Sequence, residues 1–206
     1  MAKVKYTIKI SLTDFIDFVS RAGKSKQTKV KQIKERDPYH PITDFYKPLR
    51  EGIVEIHRTD GKKPELDSLL KGLTDEKKKR NYPIAISGYK KFWGRKSLNW
   101  FEPPFSHWQV GDVDIKVNPE LGLECDGKFW VIKLYLKADP LTKDKIGQIL
   151  SLMEDQLRKK APDDEILFCV LDVKNSKLFC NEDKDTSMLP LLKGEVLSLE
   201  TIWKSI

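Results

Sequence analysis

Residues 119–137, PELGLECDGKFWVIKLYLK, decide how the rest of this chain is read. Asp126-Gly127 sits between two apolar runs, and a two-residue type I′ turn needs positive φ at both central positions, which Asp-Gly supplies. With those residues as the turn, Cys125 faces Lys128, Glu124 faces Phe129, Gly122 faces Val131 and Glu120 faces Lys133. Side chains alternate between the faces of a strand. One face therefore carries Leu121, Leu123, Cys125, Trp130, Ile132, Leu134 and Leu136 and is predicted to be core. The other carries Glu120, Gly122 and Glu124 with Val131, Lys133, Tyr135 and Lys137.

Outward from the hairpin, the pattern divides the chain into two regions. "WQVGDVDIKV", from Trp108, alternates and reads as a strand. After the hairpin, Ile146, Ile149, Leu150, Met153 and Leu157 recur at helical spacing. "EILFCVLDV" is a continuous apolar run suited to a buried central strand, "NSKLFC" turns back beside it, and "SLETIWKSI" closes the chain as a helix.

Before the hairpin, "KYTIKI" is a short strand. Ser11 or Thr13 caps a helix with Phe15, Ile16, Phe18 and Val19 facing inward, which Gly23 ends. "KSKQTKVKQIKERDP" is a lysine-rich surface helix or loop stopped by Asp37-Pro38. Phe45, Leu49, Ile53 and Ile56 mark another helix, with Pro48 in its first turn. Short helices are predicted after Pro64 and Thr74. The fold class expected is α/β, more closely α+β. A helical, basic region over 1–105 packs on a mixed sheet with a central β-hairpin over 106–206, as one compact unit.

A chain of 206 residues, 39% hydrophobic and 33% charged, has ample material for a core and a heavily charged surface. No apolar stretch approaches a membrane-spanning length, so no membrane partner is expected. The opening residues lack the apolar run of a signal peptide. Cys125, Cys169 and Cys180 are odd in number and set in apolar contexts, which predicts buried reduced thiols and a cytoplasmic location. Charge is uneven: residues 1–100 hold 24 Lys and Arg against 12 Asp and Glu, while residues 101–206 hold 14 against 19, together giving +7. Such asymmetry suits a polyanionic partner, DNA or RNA, or else a lysine-rich solvated surface.

The order strand, strand, strand, helix, strand around Pro119-Glu120 and Lys133 resembles the core of the PD-(D/E)XK nuclease superfamily, over roughly Trp108 to Val173. The resemblance implies a nuclease-like sheet. It makes Glu120 a catalytic carboxylate and metal ligand, and Lys133 the residue that positions the attacking water. The implied cofactor is Mg2+ if the site is active, and none otherwise. The sequence departs from the pattern at Val131, where the second acid belongs, and Tyr135 occupies the same place relative to Lys137. Glu124 and Asp114 are the candidate substitute ligands, with Glu51 and Glu55 as further acids, and Gln148 resembles a helical glutamine of some branches, with Leu152 where those carry an aromatic. A degenerate site would leave the fold and a basic binding surface.

A second candidate is "GYKKFWGRKSLNWF", residues 88–101. There Lys90, Lys91, Arg95 and Lys96 interleave with Trp93 and other aromatics, so phosphate neutralisation and base stacking would coincide, or else Phe92, Trp93 and Trp100 anchor a loop onto the core and the lysines solvate it. Lys133 and Lys137 would extend that surface. His40, His57 and His107 show no metal-ligand spacing. Glu120 and Lys133 as a plain cross-strand ion pair, and a protein–protein module without nucleic acid, are the competing readings.

Overall fold

A computed structural model describes residues 8–36 and 44–206. The Asp37-Pro38 stop, His40 and the first half of the predicted "KYTIKI" strand lie outside the described residues. The class is α+β, with two mixed sheets.

The smaller sheet joins β1 (Ile8–Ser11), β3 (Ser106–Val110) and β4 (Val113–Val117) in the order β1-β4-β3, with β1 parallel to β4. The larger has β2 (Asn99–Phe101), β5 (Leu121–Cys125), β6 (Lys128–Tyr135), β7 (Leu167–Asp172) and β8 (Lys177–Cys180) in the order β2-β5-β6-β7-β8. The hairpin register is the one its turn dictates: Cys125 pairs with Lys128, Glu124 with Phe129 and Gly122 with Val131. Asp126 and Gly127 both take positive φ, 51° and 75°. β7 returns parallel to β6 after the crossover helix α5 (Lys143–Leu157). Both sheets draw strands from either side of residue 105.

The larger sheet is buried on both faces. Leu121, Leu123, Ile132 and Leu134 face a core shared with α3 (Lys47–Arg58), a 3-10 segment (Lys63–Leu70) and α4 (Glu76–Trp93). Val131, Tyr135, Phe168 and Val170 face a second core, shared with α1 (Leu12–Val19), α2 (Lys24–Lys34), α5, α6 (Leu189–Ser205) and the smaller sheet. The hairpin face that reads as polar is therefore covered too, because the parallel crossover lays α5 on it. Lys133, between Val131 and Tyr135, is left only 7% exposed.

Four other sequence readings are corrected. "WQVGDVDIKV" is a hairpin, β3 and β4, turning at Gly111-Asp112 with Gly111 at φ 57°. The helix predicted after Thr74 is capped by Asp75 and runs through Pro83 to Trp93, absorbing much of the basic-aromatic stretch. Ser11 caps α1 as expected, but Ser20 ends it, and Gly23 instead starts α2. Cys169 and Cys180 oppose each other across β7 and β8 and form a disulfide, while Cys125 is a buried free thiol. The disulfide removes the thiol argument for a reducing compartment.

Gly122 allows β2 to approach β5. A Cβ there would lie 2.3 Å from the Phe101 carbonyl oxygen and 2.8 Å from its ring. Gly122→Ala is expected to destabilise the chain by about 1–3 kcal/mol through overpacking, read as a lower urea midpoint at unchanged slope.

Candidate functional site

The smaller sheet has an inner face of Val113, Ile115 and Val117, all fully buried. Strict alternation puts Asp114 and Lys116 on its outer face. The register then brings Lys9 and Gln109 beside Asp114, and Ser11 and His107 beside Lys116. This polar face forms one wall of a cavity of about 990 Å³. Lys133 of β6 lines it, with Glu120 just before β5 and Lys137 just after β6, as do residues of α1, α2 and α3. Among the described residues, eight Lys and Arg side chains line it against six Asp and Glu.

Glu120 and Lys133 meet as the hairpin register requires. Lys133 Nζ donates to Glu120 Oε1 at 2.6 Å and to the Asn118 carbonyl at 3.1 Å. Glu120 Oε2 accepts from the Leu134 backbone N–H at 2.8 Å. Arg50 Nε stands 3.7 Å from Glu120 Oε1 while Arg50 also binds Asp44 at 2.9 Å. Both members of the Glu120–Lys133 pair have side chains 9% exposed, so this pair lies largely out of water.

Across the cavity, α1 presents Asp14 and Asp17. Asp14 takes both guanidinium nitrogens of Arg36, at 3.0 and 3.1 Å, and Lys29 Nζ at 2.9 Å. Burial alone would raise the Asp14 carboxyl, but Arg36 and Lys29 outweigh it and hold it well below the usual carboxylate range. Asp17 pairs with Lys29 at 3.4 Å and with Lys137.

His107 Nδ1 lies 2.8 Å from Asp114 Oδ1. The Asp114 side chain is 10% exposed and that of His107 44%. Beside them Phe105 is 60% exposed. Its ring centroid lies 6.4 Å from that of His107, and Lys116 Nζ lies 5.9 Å from it.

No protein-family model, curated protein or solved structure matches this chain. What the site does rests on its own chemistry.

The structure brings Glu120, Lys133, Asp114 and Lys137 to one cavity and leaves the other candidates elsewhere. Glu124 sits by the hairpin turn, four residues along the strand from Glu120, about 13 Å at strand rise. It accepts from Asn99 Nδ2 at 2.5 Å and from the Gly127 N–H at 2.8 Å. The Asn99 bond leads in lowering its carboxyl. Among the described residues no three His, Cys, Asp or Glu side chains gather as ligands of one metal ion. With both Glu120 oxygens facing protein donors and Glu124 at the turn, this donor set does not fit the magnesium ion that the resemblance implies.

The basic-aromatic stretch also lies apart from the cavity. Trp93 is 8% exposed and stacks on His57 with ring centroids 4.3 Å apart; Tyr89 and Phe92 are buried with it. These rings are thus core anchors, the second of the two readings of this stretch, and not a base-stacking surface. Lys90 pairs with Asp67 at 2.6 Å. Lys91, Arg95 and Lys96 are exposed, and Lys96 Nζ lies 5.0 Å from the Phe92 ring centroid.

Sequence reasoning passed over His107, Phe105, Lys9 and Lys116. The signal for them was the Gly111-Asp112 turn, which sets His107 diagonally across from Asp114.

Proposed function

We infer that this chain binds nucleic acid in the cavity between the two sheets, through a nuclease-like core that keeps its lysine and has lost the second acid. The observation that carries this reading is the surplus of cations among the described residues lining the 990 Å³ cavity, with Lys133 held in its wall by Glu120. The hairpin β5-β6, then α5, then β7 parallel to β6, supports it as the hairpin, helix and last strand of the PD-(D/E)XK resemblance, whose first strand, from Trp108, lies instead in the smaller sheet. Lys9 and Lys116 stand exposed on the outer face of the smaller sheet, where they can meet phosphates.

The Lys9→Glu/Lys116→Glu double variant tests this. On labelled single-stranded RNA and DNA, the parent's affinity should fall with salt. The double variant should bind more weakly, with a log–log slope shallower by about 0.7 for each phosphate it no longer neutralises. Equal binding by both proteins removes the cavity from the interface. Affinity that is high and insensitive to salt, or absent for both probes, favours a protein–protein module instead. Magnesium-dependent cleavage that disappears in Glu120→Ala would point to a rearranged metal site.

A further inference from the structure

A general base needs a free ring nitrogen, a partner that fixes its tautomer, and room for substrate. His107 has all three. Asp114 engages Nδ1 at 2.8 Å, no described residue is hydrogen-bonded to Nε2, and both residues line the 990 Å³ cavity. Phe105 stands exposed beside the histidine, and its backbone is held by Lys160, which donates to the Phe105 carbonyl at 3.2 Å and to Ser106 Oγ at 2.9 Å. An anchored, exposed ring next to Lys116 is a platform on which a base can stack while its phosphate meets a cation. A base-bearing phosphodiester is therefore the ligand that uses every group on this face.

We propose that His107, oriented by Asp114, is the general base of a metal-independent ribonuclease site, with Phe105 stacking a base and Lys116 beside the scissile phosphate. The inference rests on the nucleic-acid reading above and narrows its substrate to RNA, because the nucleophile is the 2′-hydroxyl. That hydroxyl gives its proton to His107 Nε2 as its oxygen bonds the adjacent phosphorus. The bond from phosphorus to the 5′ oxygen breaks, and the departing oxygen takes a proton from the Lys116 ammonium. His107 then returns its proton to Lys116 through solvent. The products are a 2′,3′-cyclic phosphate and a 5′-hydroxyl end. Asp114 is a positioning residue: it holds Nδ1 as the donor so that Nε2 is the base.

The test incubates the full chain, in EDTA, with 5′-labelled single-stranded RNA, the same RNA carrying one 2′-deoxy sugar at the cut position, and the matching DNA. Binding is measured on the same samples. The parent should cut RNA to cyclic-phosphate ends, leave the DNA whole, and spare the 2′-deoxy position. His107→Gln should lower the rate by about a hundredfold or more with affinity unchanged. Added imidazole should restore part of the activity of His107→Ala. Asp114→Asn should lower the maximal rate without raising the half-saturating RNA concentration, a split that general loosening of the sheet would not give. RNA bound but left intact in EDTA overturns this proposal and leaves the binding reading standing. Cleavage indifferent to His107→Gln also overturns it. RNA that does not bind at low salt overturns both.

Discussion

Lys133→Ala is expected to cost about 3–5 kcal/mol of stability, because it strands the Glu120 carboxylate without its cation in a site mostly removed from water. The two side chains are each 9% exposed and their closest atoms lie 2.6 Å apart. Arg50, 3.7 Å from the same carboxylate, can move toward it and places the expected loss in the lower part of that range. Restoring neutrality should recover most of the loss. In Glu120→Gln/Lys133→Met the amide oxygen still accepts from the Leu134 N–H, and no unpaired charge remains. Chemical denaturation of the two variants beside the parent checks this. A Lys133→Ala midpoint within error of the parent would mean that the pair is solvated and contributes only what surface pairs do.

Acidification from neutrality to about pH 4 should lower stability by about 3 kcal/mol on account of His57 alone. His57 is 3% exposed, hydrogen-bonded through Nε2 to the Tyr89 hydroxyl at 2.7 Å, and stacked on Trp93. Burial pushes its ring down to about 4 from an ordinary value of 6.5. The unfolded chain therefore takes up this proton first. The stability is fully present above the unfolded value and is lost as the pH falls toward the folded one. Asp14, depressed by Arg36 and Lys29 despite its burial, contributes stability that is lost only at pH values below His57's window. His57→Gln, which retains a partner for Tyr89, should flatten the profile between pH 6.5 and 4 and leave the steeper acid limb. A profile unchanged by the substitution would assign that slope to other groups.

The hairpin was legible because one dipeptide sets its register, and the register carries Glu120 to Lys133 without further information. That the opposite face is also buried was not legible, since alternation records side-chain direction and not what a later helix lays over it. Reading β3 and β4 as one strand came from weighting the alternation of Trp108 to Val117 above the Gly111-Asp112 turn. The same choice hid the pairing of His107 with Asp114, two residues whose spacing matches no metal motif. The cysteines failed for a related reason: Cys169 and Cys180 look isolated until β8 is paired residue by residue with β7. In "GYKKFW" the aromatics recur at helical spacing and belong to the buried face of α4, so their density reported packing and not a partner.

The parallel pairing of β1 with β4 orders events during synthesis. Ile8–Ser11 leaves the ribosome about a hundred residues before its partner Val113–Val117 is made. At about 5–20 residues per second, the early strand waits roughly 5–20 s with an unpaired apolar edge. Until that closure Asp14 and Asp17 have no wall opposite them, so nascent chains that end before Val113 have no cavity. The same long-range closure gives the smaller sheet a high contact order and makes it a slow step in refolding. Nascent chains stalled before Val113 should thus expose β1 and α1 to chaperones and proteases, and release of the stall should bury them together.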